Sequence, residues 1–153
     1  MFGCRNTPAG PVGIETDGTH ITALHLKCAS PVTDCADPLI ARAFRELNEY
    51  FAGIRTGFDL PLAPAGTPFQ LRVWEALQRI PYGKTASYGE IAAAIGRPNA
   101  SRAVGMANHR NPIPILIPCH RVIGADGSLT GYGSGLDLKR KLLDLEDGIH
   151  ALL

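Results

Sequence analysis

The amino-acid sequence predicts an α+β fold in two parts, and three observations support this. First, apolar residues alternate on both sides of Asp17-Gly18, a dipeptide that supplies the positive φ angles of a tight turn between two strands. Second, from Pro38 onward the apolar residues recur every three or four positions, which is the period of a helix. Third, residues 56–66 contain two prolines and two glycines without periodicity, so they separate a part over 1–62 from a part over 67–153.

The first part is predicted to contain a β-hairpin followed by one helix. The two strands lie within residues 11–26. The helix begins at Pro38 and ends near Gly53, because glycine commonly terminates a helix. Its predicted buried face consists of Leu39, Ile40, Ala43, Phe44, Leu47, Tyr50 and Phe51.

The second part is predicted to be mostly helical, and its first helix has clear boundaries. Thr67 is suited to cap the helix, Pro68 to take its first position, and Gln70 to complete a capping box. The helix ends before Pro81. Its apolar stripe consists of Phe69, Val73, Trp74, Leu77 and Ile80.

Two shorter helices follow. Ser87 and Glu90 form a second capping box, the helix that they open stops at Gly96, and Asn99 caps the next helix over about 100–109. Two helices at this spacing have the shape of a helix-turn-helix, although spacing alone favours a plain helical hairpin. In a helix-turn-helix the second helix would carry toward DNA the residues Ser101, Arg102 and Arg110.

Three prolines, Pro112, Pro114 and Pro118, forbid a helix and hold the next segment extended, so Cys119 is predicted on a stiff, irregular strand. Asp126-Gly127 then predicts a hairpin or wing. A final helix runs to about Asp147, and its apolar face consists of Leu138, Leu142, Leu143 and Leu145.

Composition indicates a globular protein of 153 residues without a membrane span, since no apolar run approaches the ~20 residues that a spanning helix needs. The N-terminus lacks the apolar core of a secretory signal, so we expect a cytoplasmic protein. The net charge is +1, yet residues 70–121 hold seven basic and two acidic residues, against five and seven in residues 1–66. This asymmetry is compatible with nucleic acid on the second part, or with a solvated face.

The four cysteines predict neither a metal site nor a cofactor site. They lack a C-x-x-C pair and a matching pair of histidines. Cys28 and Cys35 could pair across a proline-containing loop, but a reducing cytosol favours two incidental thiols. Only Cys119 has neighbours that suggest chemistry.

Cys119 precedes His120, a base that could raise the thiolate fraction of the thiol. Adjacent residues on an extended chain point to opposite sides, so contact would need a bridging water or a tight turn. An acidic residue of the last helix, Glu146 or Asp144, could orient the imidazole. The alternative is a buried cysteine acting as a small apolar residue, beside an ordinary histidine.

Several motifs together resemble one family. From Thr67 to Gly148 the chain is similar to the O6-alkylguanine-DNA alkyltransferases, in the order and spacing of SYGEIA (87–92), RAVG (102–105), NPIPILIP (111–118), PCHRV (118–122), GYGSG (131–135) and LLDLE (142–146). The resemblance implies a small ribonuclease-H-like first domain and a winged helix-turn-helix second domain. It also implies direct, irreversible, single-turnover transfer of an alkyl group to Cys119 from O6-alkylguanine, or less readily O4-alkylthymine, in double-stranded DNA. The protein would act as a monomer without cofactor or metal.

The resemblance also assigns roles to residues at the site. Cys119 is the alkyl acceptor, His120 the base that acts on it through a water, and Glu146 the acid that orients the histidine. Asn111 ties the recognition helix to the active-site loop, and Tyr88 serves the guanine ring.

For DNA, the resemblance implies that Arg102 enters the duplex and fills the place of a flipped-out base, while the Tyr88 ring crowds the backbone of the flipped nucleotide. Ser101 and Arg110, on the same predicted helix as Arg102, are the other candidate DNA-binding residues. The base pocket would comprise Val122, Tyr132, Gly133 and Ser134, where some family members carry serine in place of Gly133. Two rival functions are a non-catalytic DNA-binding protein, including a lesion sensor without the acceptor cysteine, and a Cys-His hydrolase. The presence of Cys119 argues against the sensor.

Overall fold

A computed structural model describes residues 1–28, 36–130, 132 and 135–148. Strands β1 (Phe2–Thr7), β2 (Gly10–Thr16) and β3 (Ile21–His25) form an antiparallel sheet in that order. The predicted turn between β2 and β3 is confirmed, with Gly18 at a φ of 97°. The sequence did not predict β1, because its polar and apolar residues do not alternate; it forms by pairing along most of β2.

Helix α1 (Pro38–Phe51) covers one face of this sheet, as its apolar stripe predicts. The Asp37 carboxylate caps the helix by accepting a hydrogen bond from the Leu39 N–H, and it also accepts one from the Thr16 hydroxyl at 2.7 Å. The cap therefore fastens the start of α1 to the end of β2.

Cys28 forms a disulfide with Cys4, so the prediction that it is an incidental thiol with Cys35 as its candidate partner is wrong. Cys4 lies opposite Gly13 in the β1–β2 register, and the Cys28 sulfur lies 3.7 Å from where a Gly13 Cβ would be. A Cβ at Gly13 would lie 2.8 Å from the Phe2 ring, so glycine at this position makes room for that ring. Cys35 lies outside the described residues.

The predicted connection between the two parts packs against the sheet edge. The Ile21 N–H donates to the Pro61 carbonyl at 2.8 Å, and the Ala63 N–H donates to the Ile21 carbonyl at 2.9 Å. Farther along β3, the Leu24 N–H donates to the Pro112 carbonyl at 2.9 Å. The sheet is therefore bonded to the segment that leads to Cys119.

The second part contains α2 (Pro68–Gln78), α3 (Tyr88–Ala94), α4 (Ser101–His109) and α5 (Leu136–Glu146). Both predicted capping boxes are confirmed. The predicted Asn99 cap is wrong: Ala100 occupies the N-cap position without a side-chain bond, because a turn from Arg97 to Ala100 encloses Asn99. Across the core the Trp74 indole donates to the Ala107 carbonyl at 2.8 Å, which anchors α4 on α2.

The prolines do not hold residues 112–118 extended. The Ile117 N–H donates to the Ile113 carbonyl, Ile115 adopts a φ of 72°, and Cys119 opens a 3₁₀ turn, Cys119–Arg121. Proline forbids a helix but permits turns, and a turn lets the chain bury each of its isoleucines.

Beyond the 3₁₀ turn, β5 (Val122–Ile123) pairs in parallel with β4 (Ala86–Ser87). The Asp126-Gly127 turn forms, with the Gly124 N–H donating to the Ser128 carbonyl at 2.8 Å, but it joins no strand pair within the described residues. None of the helices in the described ranges is long and apolar enough to cross a membrane.

Candidate active site

Cys119 is held by hydrogen bonds to the loop that precedes it. Its N–H donates to the Ile117 carbonyl at 2.7 Å. The Asn111 amide donates to that same carbonyl at 2.8 Å, while its oxygen accepts from the Ile113 N–H at 2.9 Å. Because Asn111 lies two residues after the end of α4, it joins this helix to the loop that carries the cysteine.

A cavity of about 410 Å³ opens at Cys119, which is itself 4% exposed. The second part lines it with Asn108, Asn111, Tyr132 and the proline loop, and β3 with the segment after it lines the opposite wall. Both parts of the chain therefore shape the space in front of the thiol.

Burial raises the pKa of the Cys119 thiol to about 11, against the smaller opposite effects of the Asn111 amide and the Lys139 charge. The thiol is therefore protonated at neutral pH. A reaction that uses its sulfur as a nucleophile needs a base to take the proton as the new bond forms.

That base is available in His120, which is completely buried. Its Nε2 lies 2.6 Å from Glu146 Oε2, and its Nδ1 has no hydrogen-bond partner among the described residues. Burial lowers the pKa of His120, although the Glu146 carboxylate acts in the opposite direction. A neutral imidazole that donates from Nε2 to the carboxylate keeps a lone pair on Nδ1, so Nδ1 is the atom that can accept a proton.

Glu146 is the centre of a buried hydrogen-bond network. Besides His120, its carboxylate accepts hydrogen bonds from the Tyr50 hydroxyl at 2.5 Å, from Arg121 at 2.8 and 3.1 Å, and from the Gly83 N–H at 3.3 Å. Burial raises the pKa of Glu146, but these donors outweigh it and hold the pKa at about 2. The acid is therefore ionised, and of the two acids considered it is Glu146, not Asp144, that contacts the imidazole.

Lys139 is a buried cation that sequence reasoning missed. Its ammonium donates to the Val122 carbonyl at 2.5 Å and to the Thr130 carbonyl at 2.6 Å, and burial lowers its pKa. These bonds connect α5 to the segment that follows the 3₁₀ turn. The signal was present in the sequence, because Lys139 lies three residues before Leu142 and seven before Glu146 on the stripe that α5 buries.

Tyr50, Arg121 and Asn108 were also missed as site residues. Tyr50 has the pattern of an ordinary core residue, and it lies 96 positions from the glutamate that it contacts. Arg121 donates to the Ile80 carbonyl at 2.7 Å as well as to Glu146. Local sequence contains no signal for such long-range partners.

The predicted DNA-binding residues lie outside the cavity at Cys119, and three of them lie along a groove that shares His109 with it. Tyr88, Arg102 and Arg110 line a shallow groove along α4, and both arginines are exposed. The Tyr88 hydroxyl lies 3.0 Å from Thr130 Oγ1. Ser101 is half-buried and does not line the groove; its hydroxyl lies 3.7 Å from where a Gly89 Cβ would be.

Of the predicted base pocket, Tyr132 lines the cavity at Cys119. Val122, three residues after Cys119, is buried, and its carbonyl accepts a hydrogen bond from Lys139. Gly133 and Ser134 lie outside the described residues. Across the described ranges, no cluster of three or more histidine, cysteine, aspartate or glutamate residues could hold a metal ion.

Two family models match the chain. The ribonuclease-like domain of 6-O-methylguanine DNA methyltransferase matches residues 2–64, and the DNA binding domain of 6-O-methylguanine DNA methyltransferase matches residues 68–148. Together they cover both parts of the structure.

Individual relatives and solved structures agree with these matches. The chain is 65% identical over 146 residues to a methylated-DNA–protein-cysteine methyltransferase of Methanosarcina acetivorans, covering 92% of this chain and 94% of the relative. It is 58% identical over 150 residues to the constitutive enzyme of that name from Bacillus subtilis, covering 92% and 91%. The crystal structure of Mycobacterium tuberculosis OGT in complex with DNA matches with a TM-score of 0.87 and 51% identity, covering 96% of this chain and 92% of that one.

Proposed function

The chain belongs to the family of 6-O-methylguanine DNA methyltransferases, and we propose that it repairs double-stranded DNA by moving the alkyl group of O6-alkylguanine, or less readily O4-alkylthymine, irreversibly onto Cys119. One observation carries the proposal for this residue. Cys119 faces a cavity while the adjacent His120 is paired with an ionised glutamate.

The protonation states of Cys119, His120 and Glu146 support direct transfer of the alkyl group. As the Cys119 sulfur attacks the alkyl carbon, the thiol proton passes through a water to Nδ1 of His120. Glu146 stabilises the resulting imidazolium from the other ring nitrogen. The carbon–oxygen bond breaks, and guanine leaves as a neutral base once its ring takes up a proton, for which Tyr88 is the proposed donor. The thioether is stable, so one protein molecule repairs one lesion.

The exposed groove along α4 supports the DNA-binding half of the proposal. An O6-alkylguanine inside a duplex must leave the base stack to reach a buried thiol, and extrusion costs a few kcal/mol. Arg102 is exposed on α4 and could fill the vacated place. Arg102→Ala should therefore slow repair of duplex DNA by about tenfold or more while retaining reaction with the free modified base. Arg72→Ala, which removes an exposed arginine from α2, is the matched control; equal rates for both variants would remove the role of Arg102.

The reaction itself is tested on the DNA product. A duplex with one O6-methylguanine is incubated with excess protein, digested, and its nucleosides are separated. We expect the modified nucleoside to become deoxyguanosine, and Cys119→Ser to leave it unchanged. Bound but unaltered DNA would instead indicate a lesion sensor, and deoxyguanosine formed while the protein keeps its original mass would indicate a hydrolase.

We extend the proposal to a monomer that acts in the cytoplasm, as the sequence predicts. Light scattering on the protein, with and without a short duplex, should give the mass of one chain and of one chain per duplex. A stable dimer in the absence of DNA would contradict the monomer.

A further inference from the structure

Three polar atoms near Cys119 are buried without a hydrogen-bond partner among the described residues, and one of them, Nδ1 of His120, is the proposed proton acceptor; the other two have no role in the reaction described above. These two are Oδ1 of Asn108 and the hydroxyl oxygen of Tyr132, whose residues are 2% and 8% exposed. Buried polar groups are nearly always hydrogen-bonded, so each exception calls for an explanation. Both residues line the cavity that contains Cys119, and this location suggests that their missing partner belongs to the substrate.

The orientation of the Asn108 amide follows from its one hydrogen bond. Its nitrogen donates to the backbone carbonyl of Cys119 at 3.3 Å. A carbonyl oxygen can only accept, so the nitrogen must face Cys119 and the amide oxygen must be the free end. Asn108 therefore offers a free hydrogen-bond acceptor on a side chain that is itself bonded to the backbone of Cys119.

Tyr132 offers the complementary group. Burial raises the pKa of its hydroxyl well above the ordinary value, and the negative charge of an ionised Cys119 would raise it further. The hydroxyl is therefore protonated and can donate a hydrogen bond. Two of the residues that line the cavity thus hold one acceptor and one donor without a partner.

Building on the alkyl transfer proposed above, we propose that Asn108 and Tyr132 select O6 adducts that end in a hydroxyl group, such as 2-hydroxyethyl, over apolar adducts of the same size. A hydroxyl can donate to Asn108 Oδ1 and accept from Tyr132 at the same time, which satisfies both buried atoms. A propyl group of equal length leaves both without a partner. A carboxylate would set an acceptor against the Asn108 oxygen, so these residues do not favour an acidic adduct.

The chemistry of transfer is unchanged by the hydroxyl. The bond from Cys119 sulfur to the first adduct carbon forms, the bond from that carbon to O6 breaks, and its electron pair goes to guanine. The proton lost by the thiol balances the proton gained by guanine. The hydroxyl takes no covalent part, and the product on the protein is S-(2-hydroxyethyl)cysteine.

The test compares three duplexes that differ only in the O6 adduct: methyl, 2-hydroxyethyl and n-propyl. Single-turnover rate constants are measured for the unmodified protein, Asn108→Leu, Tyr132→Phe and the control Asn48→Leu, which makes the same change at an exposed position of α1. For each protein the hydroxyethyl rate is divided by its own propyl rate, so that a general loss of activity cancels. Tyr132→Phe retains the ring and its packing, so the test does not depend on Asn108→Leu folding correctly.

We expect a ratio of about ten for the unmodified protein and Asn48→Leu, and a fall toward one in both pocket variants, because each loses one hydrogen bond to the adduct. A ratio of one or less in the unmodified protein would overturn the proposal. So would an unchanged ratio in the pocket variants, including a variant that slows all three substrates equally, since this would mean that Asn108 binds the base or supports the fold. Methyl transfer by the unmodified protein tests the proposed function separately, because a methyl group is too short to carry the hydroxyl.

Discussion

The two sides of Cys119 differ in how their polar groups are satisfied. Behind it, the Glu146 carboxylate accepts hydrogen bonds from a histidine, an arginine, a tyrosine and a backbone N–H. In front of it, Asn108 and Tyr132 each leave one buried atom without a partner in the described part of the chain. The bonds to the Glu146 carboxylate are complete before any substrate binds, and only Nδ1 of His120 lacks a partner there, whereas Asn108 and Tyr132 need a ligand to complete their bonds.

Under our proposals, this difference separates groups that transfer protons from groups that contact substrate. A fully bonded carboxylate is ionised and rigid, so it can define the tautomer of His120 in advance. An unpaired buried atom lowers the stability of the free protein and becomes useful only when a ligand pairs with it. Substitutions on the two sides should therefore change stability in opposite directions.

The largest effect is expected from Glu146→Gln. It leaves the buried Arg121 without a counter-charge, so the free energy of unfolding should fall by about 3–5 kcal/mol in urea titrations. The rate of alkyl transfer should fall by roughly 10²–10⁴-fold, because the imidazolium loses its stabilising charge. The control is Asp144→Asn, a half-buried acid on the same helix that makes no side-chain bond to another described residue; equal effects of the two changes would contradict the role of Glu146.

Tyr50→Phe tests one bond of the same network. Losing the hydroxyl donor to Glu146 should lower the free energy of unfolding by about 1–3 kcal/mol and raise the pKa of the carboxyl. Since a lowered carboxyl pKa contributes stability above its ordinary value of 4.5 that is lost as pH falls toward 2, the variant should unfold at a higher pH in acid titrations. Tyr82→Phe, whose hydroxyl makes only a 3.5 Å contact to the Leu145 carbonyl, should behave like the unmodified protein.

The pH dependence of the transfer rate tests which group takes the thiol proton. The pKa of His120 is lowered from 6.5, so its imidazole is neutral at pH 7. The transfer rate should therefore fall only at a pH below 6.5, where the imidazole becomes protonated. With the Cys119 pKa raised to about 11, a preformed thiolate contributes little near neutrality. A steady tenfold rise in rate per pH unit between about 7 and 9 would show that hydroxide, not His120, removes the proton.

The smallest effect is expected from Tyr132→Phe, with the opposite sign. Removing a buried hydroxyl that has no partner should increase the free energy of unfolding of the substrate-free protein by about 1 kcal/mol. Urea titrations of this variant and of Tyr50→Phe, which makes the same change on the other side of Cys119, provide the comparison. Destabilisation by both variants would remove the distinction between the two sides.

An element could be predicted from the sequence when the residues that determine it lie close together in the chain. The α2 and α3 capping boxes each involve residues three positions apart, so their start was predicted correctly. The loop before Cys119 was predicted extended and is turned, because prolines restrict a chain without specifying its path. The division into domains over 1–62 and 67–153 remains a prediction.

Only those residues of the candidate site that belong to recognisable sequence motifs could be predicted. Cys119, His120 and Glu146 were identified from a pattern of motifs, and the structure brings the last two within 2.6 Å. Tyr50 and Asn108 were not, since a core tyrosine and a helical asparagine look ordinary until the fold shows what lies beside them. Partners far apart in sequence are determined by packing, which periodicity does not reveal.

The most direct test of the account is the intact mass of the protein after incubation with excess duplex containing O6-methylguanine. We expect each molecule to gain one methyl group in place of one hydrogen, the change to map to the peptide with Cys119, and a second portion of duplex to remain unrepaired. Cys119→Ser should keep its original mass. An unchanged mass in the unmodified protein despite DNA binding, or a methyl group on any other residue, would contradict the account.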